Sequence, residues 1–295
     1  MSSLNIAVET FLVLRDVFFD NNDTPRTFHL REKHNTQDDP FDEYIVSILR
    51  GRLPGMITQK APGPLISPDL VIYNPIECRE AGLPDLQDNL TKIMAIEVKK
   101  LERSDRGVIA RSTGMDFNST PPCGTVRIYD ANDNALNVKG FYLFACLEQN
   151  SQNEYFVSAF VLCDGSILND DFDLYMSITN QRQKEVGLGT FGDGANRNRP
   201  MVIFSNPLGA NFLDKAATLI SSIDLSGEPD KIDLMYRLVR KDTSGSDRHF
   251  FGYRVRRDVP AGHEVLVINE PFPQPQNRVD TTQPRGKFRI EELHF

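Results

Sequence analysis

The sequence predicts an α/β protein with a mixed central β-sheet flanked by helices and a β-rich C-terminal segment. Two stretches near the N-terminus, residues 4–19 and 41–50, carry apolar residues at the spacing of an amphipathic helix. After residue 67 most apolar stretches are short and rich in β-branched and aromatic residues, which is typical of strands. The chain has 295 residues, 40% of them hydrophobic and 25% charged, so it can bury a substantial core.

The helices are predicted from spacing and from end signals. In the first helix Phe11, Leu14 and Phe18 fall on one face. The second helix has the clearer start, because Asp39 can cap it and Pro40 suits its first position. Spacing also predicts a third helix over residues 211–223.

The strands are predicted from short apolar runs bounded by polar, Gly and Pro residues. The run at 140–147 is almost continuously apolar, as for a central strand buried on both faces, and the polar residues 148–153 after it predict a hairpin loop. We expect a core sheet of about five strands, and connections at 20–39, 51–66 and 74–89. The predicted strands are 67–73, 93–100, 126–129, 138–147, 154–163, 201–204, 234–240, 249–257 and 264–269.

The predicted domain organisation is a core at 1–225 that carries the site and the loops, and a β-rich segment at 226–295 packed on the same core. No apolar run approaches the ~18–20 residues of a membrane span, and the N-terminus lacks the apolar region of a signal peptide. The four cysteines are widely spaced, which argues against a zinc site. We therefore expect a cytoplasmic protein without a membrane partner.

The net charge of −8 counts against a general nucleic-acid binder, whose binding domain is usually basic. It does not exclude a protein that binds DNA through one basic cleft, because only the charge on the binding face matters. Composition therefore leaves the function open.

The most informative stretch is a pair of predicted strands, residues 67–73 and 93–100. Glu97 and Lys99 are two residues apart and share a strand face, whereas Val98 between them should point into the core. If the two strands are neighbours, Asp69 comes close to Glu97 and Lys99. The sequence thus predicts two carboxylates and one lysine at the end of a sheet.

This predicted patch has a definite chemistry. Two adjacent carboxylates repel each other, and a bound cation or a proton relieves the repulsion. Mg²⁺ suits such a site because it prefers one or two protein carboxylates and keeps several waters. A lysine beside it can hold the attacking water and stabilise charge on a phosphate. These are the parts needed for metal-assisted hydrolysis of a phosphodiester.

The residues Pro68-Asp69 and Glu97-Val98-Lys99 resemble the PD-(D/E)xK motif of a large nuclease superfamily, and most of all its type II restriction endonucleases. The resemblance implies a restriction-endonuclease-like core and a Mg²⁺ ion bound by Asp69, Glu97 and the backbone of Val98. It also implies that Lys99 serves the attacking water. A helix ahead of the motif often supplies another acid in this superfamily, and Glu43 is the candidate, although a surface acid favoured by the helix dipole is an alternative.

Arginine and asparagine are the side chains that bond guanine and adenine edges, and arginine also binds phosphates. They occur in a polar segment after the second motif strand, in a Gly-flanked loop near residue 197, and in a C-terminal strand. For the first two segments a solvated loop remains the alternative. The candidate DNA-binding residues are Arg106, Arg111, Asn118, Asn196, Arg197, Asn198, Arg199, Arg254 and Arg256.

The function expected from this resemblance is Mg²⁺-dependent, sequence-specific cleavage of double-stranded DNA, leaving a 5′-phosphate and a 3′-hydroxyl. A palindromic target calls for a two-fold protein, so a homodimer is expected. The alternatives are a repair or recombination nuclease that reads DNA structure, a non-catalytic DNA-binding or effector-recognition module, and a structural or carbohydrate-binding β-rich protein. In the last two cases Glu97 and Lys99 are a surface ion pair and Asp69 is unrelated.

Overall fold

The fold was obtained as a computed structural model, which describes most of the N-terminal half of the chain and separate parts of the C-terminal half. The described residues are 5–35, 38–63, 66–81, 86, 89–103, 109–110, 118–119, 124–167, 190–191, 200–203, 217–225, 231–241, 245–256, 264–267, 278–279 and 287–294.

Three helices and seventeen strands lie wholly within these residues, and many of the strands are very short. The helices are α1 (Ile6–Phe18), α2 (Pro40–Arg52) and α3 (Pro75–Glu80). The strands of the N-terminal half are β1 (Thr27–Phe28), β2 (Ile57–Lys60), β3 (Leu70–Tyr73), β4 (Ile93–Arg103), β5 (Ile109–Ala110), β6 (Asn118–Ser119), β7 (Thr125–Asp130) and β8 (Ala135–Gln149). Those that follow are β9 (Tyr155–Asp164), β10 (Thr190–Phe191), β11 (Pro200–Ile203), β12 (Ala217–Ser221), β13 (Ile232–Lys241), β14 (Asp247–Val255), β15 (Glu264–Val267), β16 (Arg278–Val279) and β17 (Arg289–Ile290).

The main sheet is large and mixed, with strand order β15-β13-β14-β12-β9-β8-β4-β3-β2. The pairs β4–β8, β9–β12 and β13–β15 are parallel, whereas β2–β3, β3–β4, β8–β9, β12–β14 and β13–β14 are antiparallel. The predicted α/β class with a mixed sheet is confirmed. The expectation of about five strands is wrong, because strands of the C-terminal region add to the same sheet.

Helices α1 and α2 cover one face of this sheet. Asn5 caps α1 by accepting hydrogen bonds from the amides of Ala7 and Val8, and Asp39 caps α2 by accepting one from the amide of Phe41. The predicted starting signals of α2 are thus confirmed. A buried cluster joins both helices to β3, β4, β8, β9 and β12 and includes Phe11, Phe18, Phe41, Leu70, Ile96, Phe160 and Leu219.

Alternate residues of β3 and β4 lie in a second core on the other face of the sheet. There Val71, Tyr73, Ile93 and Ala95 pack with α3, β7 and the C-terminal residues around Phe288. All four residues of β3 are therefore buried, as for a strand covered on both sides. This double burial fixes β3 and the paired part of β4, and the motif residues lie directly before β3 and in the middle of β4.

Phe160 is the aromatic centre of the helix-side core, and its replacement by alanine should destabilise the protein strongly. The side chain is fully buried, with its ring centroid 6.0 Å from that of Phe11 and 6.1 Å from that of Phe18. The loss of buried apolar surface and the cavity that remains after the substitution should lower the free energy of unfolding by about 3–5 kcal/mol. Urea unfolding measures this free energy. Phe251→Ala, which removes a half-buried ring, is the comparison and should lower it less. Equal losses of stability would contradict the assignment of Phe160 as the centre of this core.

The helix predicted at 211–223 is wrong for its described part. Residues 217–221 form β12, which lies between β9 and β14 and is buried throughout. A short strand buried on both faces shows no two-residue alternation, so its pattern is easily taken for a helix. All three predicted connections also contain regular structure, namely the short strand β1 within 20–39, β2 within 51–66 and α3, capped by Asn74, within 74–89.

The C-terminal region continues the main sheet rather than forming a separate layer. Strand β14 pairs with β12, and β13 pairs with β14, so hydrogen bonds cross the predicted boundary at residue 225. The division into 1–225 and 226–295 stays a prediction. Within the part of the chain that the structure describes, no helix combines the length and apolar character needed to cross a membrane.

Candidate active site

Strands β3 and β4 bring the two halves of the motif together, as the sequence predicts. They are antiparallel neighbours with Leu70 opposite Ile96, so the same register continued by one residue sets Asp69 opposite Glu97. The Oδ2 atom of Asp69 accepts a hydrogen bond of 2.7 Å from the backbone amide of Val98. The Val98 side chain packs in the helix-side core, which confirms the predicted alternation along β4.

Glu97 is held by donors on both carboxylate oxygens. Its Oε1 atom lies 3.1 Å from Lys99 Nζ, and its Oε2 atom accepts a hydrogen bond of 2.9 Å from Ser67 Oγ. The side chains of Glu97 and Lys99 are only 12% and 17% exposed. Because both are largely withdrawn from water, this ion pair is better ordered than a surface pair. Sequence reasoning missed Ser67, although it directly precedes Pro68-Asp69.

Asp42, in the first turn of α2, is a third carboxylate at this site. Its Oδ1 atom is buried and has no hydrogen-bond partner among the described residues. The pKa of Asp42 is raised to about 8, first by burial and then by the negative charges of Asp69 and Asp39. The lysines Lys100 and Lys99 oppose this rise. Asp42 and Asp69 therefore form a repelling pair whose charge a cation would relieve.

This repulsion predicts a pH dependence of stability. An aspartate in the unfolded chain titrates near pH ~4, so between about pH 4 and 8 the folded state keeps a proton that the unfolded state has lost. The free energy of unfolding should therefore fall as the pH rises through this window. Asp42→Asn should remove this fall, and its free energy of unfolding at about pH 8.5 without Mg²⁺ should exceed that of the wild type by several kcal/mol.

Urea unfolding of both proteins between pH 5 and 9 in EDTA measures this difference. Asp16→Asn is a matched control, because Asp16 is an exposed carboxylate paired with Arg52 at the far end of α2. Parallel profiles of wild type and Asp42→Asn would show that Asp42 is not under electrostatic strain.

An open pocket of about 490 Å³ lies where these elements meet. Asp42, Asp69, Val98 and Lys99 line this pocket. It is also lined by residues before α2, at the start of α2 and from the end of β2 onwards, including Arg31, Asp38, Glu43 and Lys60. Of the candidate catalytic residues, Asp69 and Lys99 are thus reachable from solvent through the pocket.

Glu43, the predicted accessory acid, lies in this pocket with two cationic partners. Its Oε2 atom accepts a 2.7 Å bond from Arg31 Nε, and its Oε1 atom lies 3.2 Å from Lys60 Nζ. These partners, Arg31 foremost, hold the pKa of Glu43 below its ordinary value. The neighbouring Asp42 is the acid whose charge interacts with Asp69. The sequence places acids in the first turn of α2 but does not give the rotation of the helix, so it could not distinguish the two. The accessory role of Glu43 stays a prediction.

The candidate DNA-binding residues are only partly described. Arg106, Arg111, Asn196, Arg197, Asn198 and Arg199 lie outside the described residues. Asn118 lies in the short strand β6, opposite Ile203.

Arg254 and Arg256 lie on or beside β14, which the strands β12, β9 and β8 separate from β4. The Arg254 guanidinium lies 5.3 Å from the centre of the Tyr236 ring. Arg256 follows the last residue of β14, and its Nε donates a 2.8 Å bond to Asp233. Their role in binding DNA stays a prediction.

The residues at the pocket fit a hard divalent cation. In the described part of the chain, no three His, Cys, Asp or Glu side chains form a ready metal-binding cluster. However, Mg²⁺ needs only one or two carboxylates and keeps several waters, and Asp69 and Asp42 both line the pocket, with Asp42 Oδ1 buried and without a hydrogen-bond partner among the described residues. Glu97 and the Val98 carbonyl belong to the part of β4 that lies beside Asp69.

Three comparisons with known proteins found no match for this chain. No protein-family model, no curated protein and no solved structure matches it. The geometry of Asp42, Asp69, Glu97 and Lys99 is therefore the main evidence on function.

Proposed function

We propose that this protein is a Mg²⁺-dependent endonuclease that cuts double-stranded DNA at specific sequences, with a restriction-endonuclease-like core built around β3 and β4. One observation carries the proposal: Asp69, directly before β3, meets Glu97 and Lys99 in the middle of β4, and α2 adds the strained carboxylate of Asp42. Strained carboxylates beside a lysine in an open pocket suit metal-assisted attack on a phosphodiester.

Each of these residues has its own role in the proposed reaction. Asp69, Glu97 and the Val98 carbonyl would hold Mg²⁺, with Asp42 as a further oxygen ligand. When bound, Mg²⁺ lowers the pKa of water and neutralises charge that develops on the phosphate. Lys99, oriented by Glu97, would hold the attacking water in line with the bond to the 3′ oxygen. The products would be a 5′-phosphate and a 3′-hydroxyl.

The charge of the pocket supports a requirement for the cation. Five carboxyl groups line it, from Asp38, Asp39, Asp42, Glu43 and Asp69. Because Asp42 keeps its proton near neutral pH, four negative charges face the three cations of Arg31, Lys60 and Lys99. A DNA phosphate would be repelled by this excess until a divalent cation offsets it. We therefore expect DNA to bind at the pocket tightly only with Mg²⁺ or Ca²⁺ present.

Sequence specificity, a homodimer and a cytoplasmic location complete the proposal. Base reading is proposed for the Asn and Arg residues of the polar segments named above, and dimerisation follows from a palindromic target. The buried cysteines Cys78, Cys146 and Cys163 are in keeping with a reducing compartment.

End mapping tests the proposed reaction and its specificity. Fragments from a digested phage genome should all begin with the same short sequence, and ligase should rejoin them because the 5′ ends carry phosphate. Ends at scattered sequences would instead indicate a nonspecific or structure-directed nuclease. Ends that ligase joins only after kinase treatment would contradict the proposed position of bond cleavage.

A further inference from the structure

The feature that the proposed mechanism leaves unexplained is the carboxylate of Glu43 between two cations in the pocket. We infer that Arg31 and Lys60 form a binding site for a DNA backbone phosphate, and that Glu43 occupies this site in the free protein. The inference rests on the proposed function and extends it to the phosphate beside the one that is cut. It gives Glu43 a different role from that of a metal ligand.

The contacts of Arg31 show which of its partners is fixed. One edge of its guanidinium faces Asp38, with Nη2 2.8 Å from Asp38 Oδ1, and its Nε and Nη2 atoms face Glu43, each 2.7 Å from Oε2. The Asp38 side chain is only 12% exposed and also accepts a bond from the His34 amide, whereas Glu43 is 45% exposed. Asp38 therefore orients Arg31, and Glu43 is the partner that can leave.

A phosphodiester can replace Glu43 with little loss. Both groups carry one negative charge and present two acceptor oxygens, and the fork of an arginine bonds either in the same way. Ion pairs as exposed as those of Glu43 with Arg31 and Lys60 contribute little to stability, so displacing the carboxylate costs little. DNA would bring a phosphate that is also held by its neighbours along the strand.

The location suits a phosphate next to the scissile one. Lys60 pairs with Leu70 across β2 and β3, and Leu70 directly follows Asp69. Arg31, Lys60, Asp69 and Lys99 line the same pocket. A DNA strand whose phosphate lies between Arg31 and Lys60 would therefore bring an adjacent phosphate towards Asp69 and Lys99.

A purely structural reading predicts a different pattern of mutations. If Arg31, Glu43 and Lys60 only clamp the 31–38 segment to α2 and β2, then loss of any of the three should weaken DNA binding. If Glu43 occupies a phosphate site, its loss should strengthen binding, whereas loss of Arg31 or Lys60 should weaken it. The sign of the Glu43 effect separates the two readings.

The experiment measures binding of a cleavable duplex in Ca²⁺ at several salt concentrations. Arg31→Met and Lys60→Met should each weaken binding by roughly 3–10-fold and reduce the slope of log K against log salt by about one. Glu43→Ala should tighten binding by roughly 3–10-fold at low salt. Asp16→Asn removes the same charge from an exposed ion pair at the far end of α2 and should change binding less than about twofold. Thermal unfolding confirms that each variant is folded.

The outcomes separate this inference from the proposed function. If the wild type binds and cuts DNA but folded Glu43→Ala binds DNA no more tightly than the wild type, the phosphate site is overturned and the proposed function is not. Equal tightening by Asp16→Asn also overturns it, because the effect would then be one of net charge. A wild type that neither binds DNA in Ca²⁺ nor cuts it in Mg²⁺ overturns the proposed function and the inference together.

Discussion

Replacing Asp69 by asparagine is expected to abolish Mg²⁺-dependent DNA cleavage, with a fall in rate of at least about 10³-fold. The amide oxygen of asparagine can still accept the hydrogen bond from the Val98 backbone, so the strand ends should keep their arrangement. What is lost is the charge that holds the cation. The cleavage rate of a plasmid at saturating Mg²⁺ measures the effect, and Glu97→Gln should act in the same direction.

Two controls make this result specific to the site. DNA binding in Ca²⁺ should remain within a few-fold of the wild type or become tighter, since a negative charge has been removed near the phosphates. Asp16→Asn should cleave at the wild-type rate, because its carboxylate pairs with Arg52 away from the pocket. Normal cleavage by folded Asp69→Asn would remove this residue from the site.

Lys99→Met is expected to have the second largest effect, a fall in the cleavage rate of about 10²–10⁴-fold. The ammonium group lies 3.1 Å from Glu97 Oε1 and lines the pocket, so it can orient the attacking water and stabilise charge on the phosphate. Methionine keeps the volume of the side chain but has no donor. Single-turnover cleavage at saturating DNA and Mg²⁺ measures the chemical step separately from binding.

Lys99→Arg tests whether the positive charge at this position or the small ammonium donor matters, and Arg52→Met is the control. Arginine preserves the positive charge beside Glu97 but cannot act as a compact donor, so partial activity is expected. Arg52→Met removes a cation from an exposed pair and should leave cleavage unchanged. If Lys99→Met lowered DNA affinity but not the single-turnover rate, Lys99 would be a phosphate contact and not a group that serves the water.

The parts of the site that could be predicted lie within two strands. The run from Ile93 to Lys100 reads as a strand, and two-residue alternation then fixes the face of Glu97 and Lys99. The start of α2 could also be predicted, because Asp39 and Pro40 are local signals for a helix N-terminus. These features depend on neighbouring residues in the chain.

The parts that could not be predicted depend on contacts between distant segments. Asp42 and Glu43 are adjacent in the first turn of α2, and only the packing of the helix on the sheet turns Asp42 towards Asp69. Arg31 and Lys60 carry no pattern in the sequence, since they come together through the ends of separate elements. The size of the main sheet could not be predicted for the same reason. The position of β12 between β9 and β14 depends on pairing between strands that are far apart in the sequence.

Digestion of long phage DNA tests the central claim most directly. The wild-type protein is incubated with the DNA in Mg²⁺ and in EDTA, beside Asp69→Asn prepared in the same way, and the products are separated on a gel. Discrete bands from the wild type in Mg²⁺, with intact DNA in the other lanes, are the result predicted for a sequence-specific nuclease that uses this site. Uncut DNA in every lane, or equal cutting by Asp69→Asn, would contradict the claim.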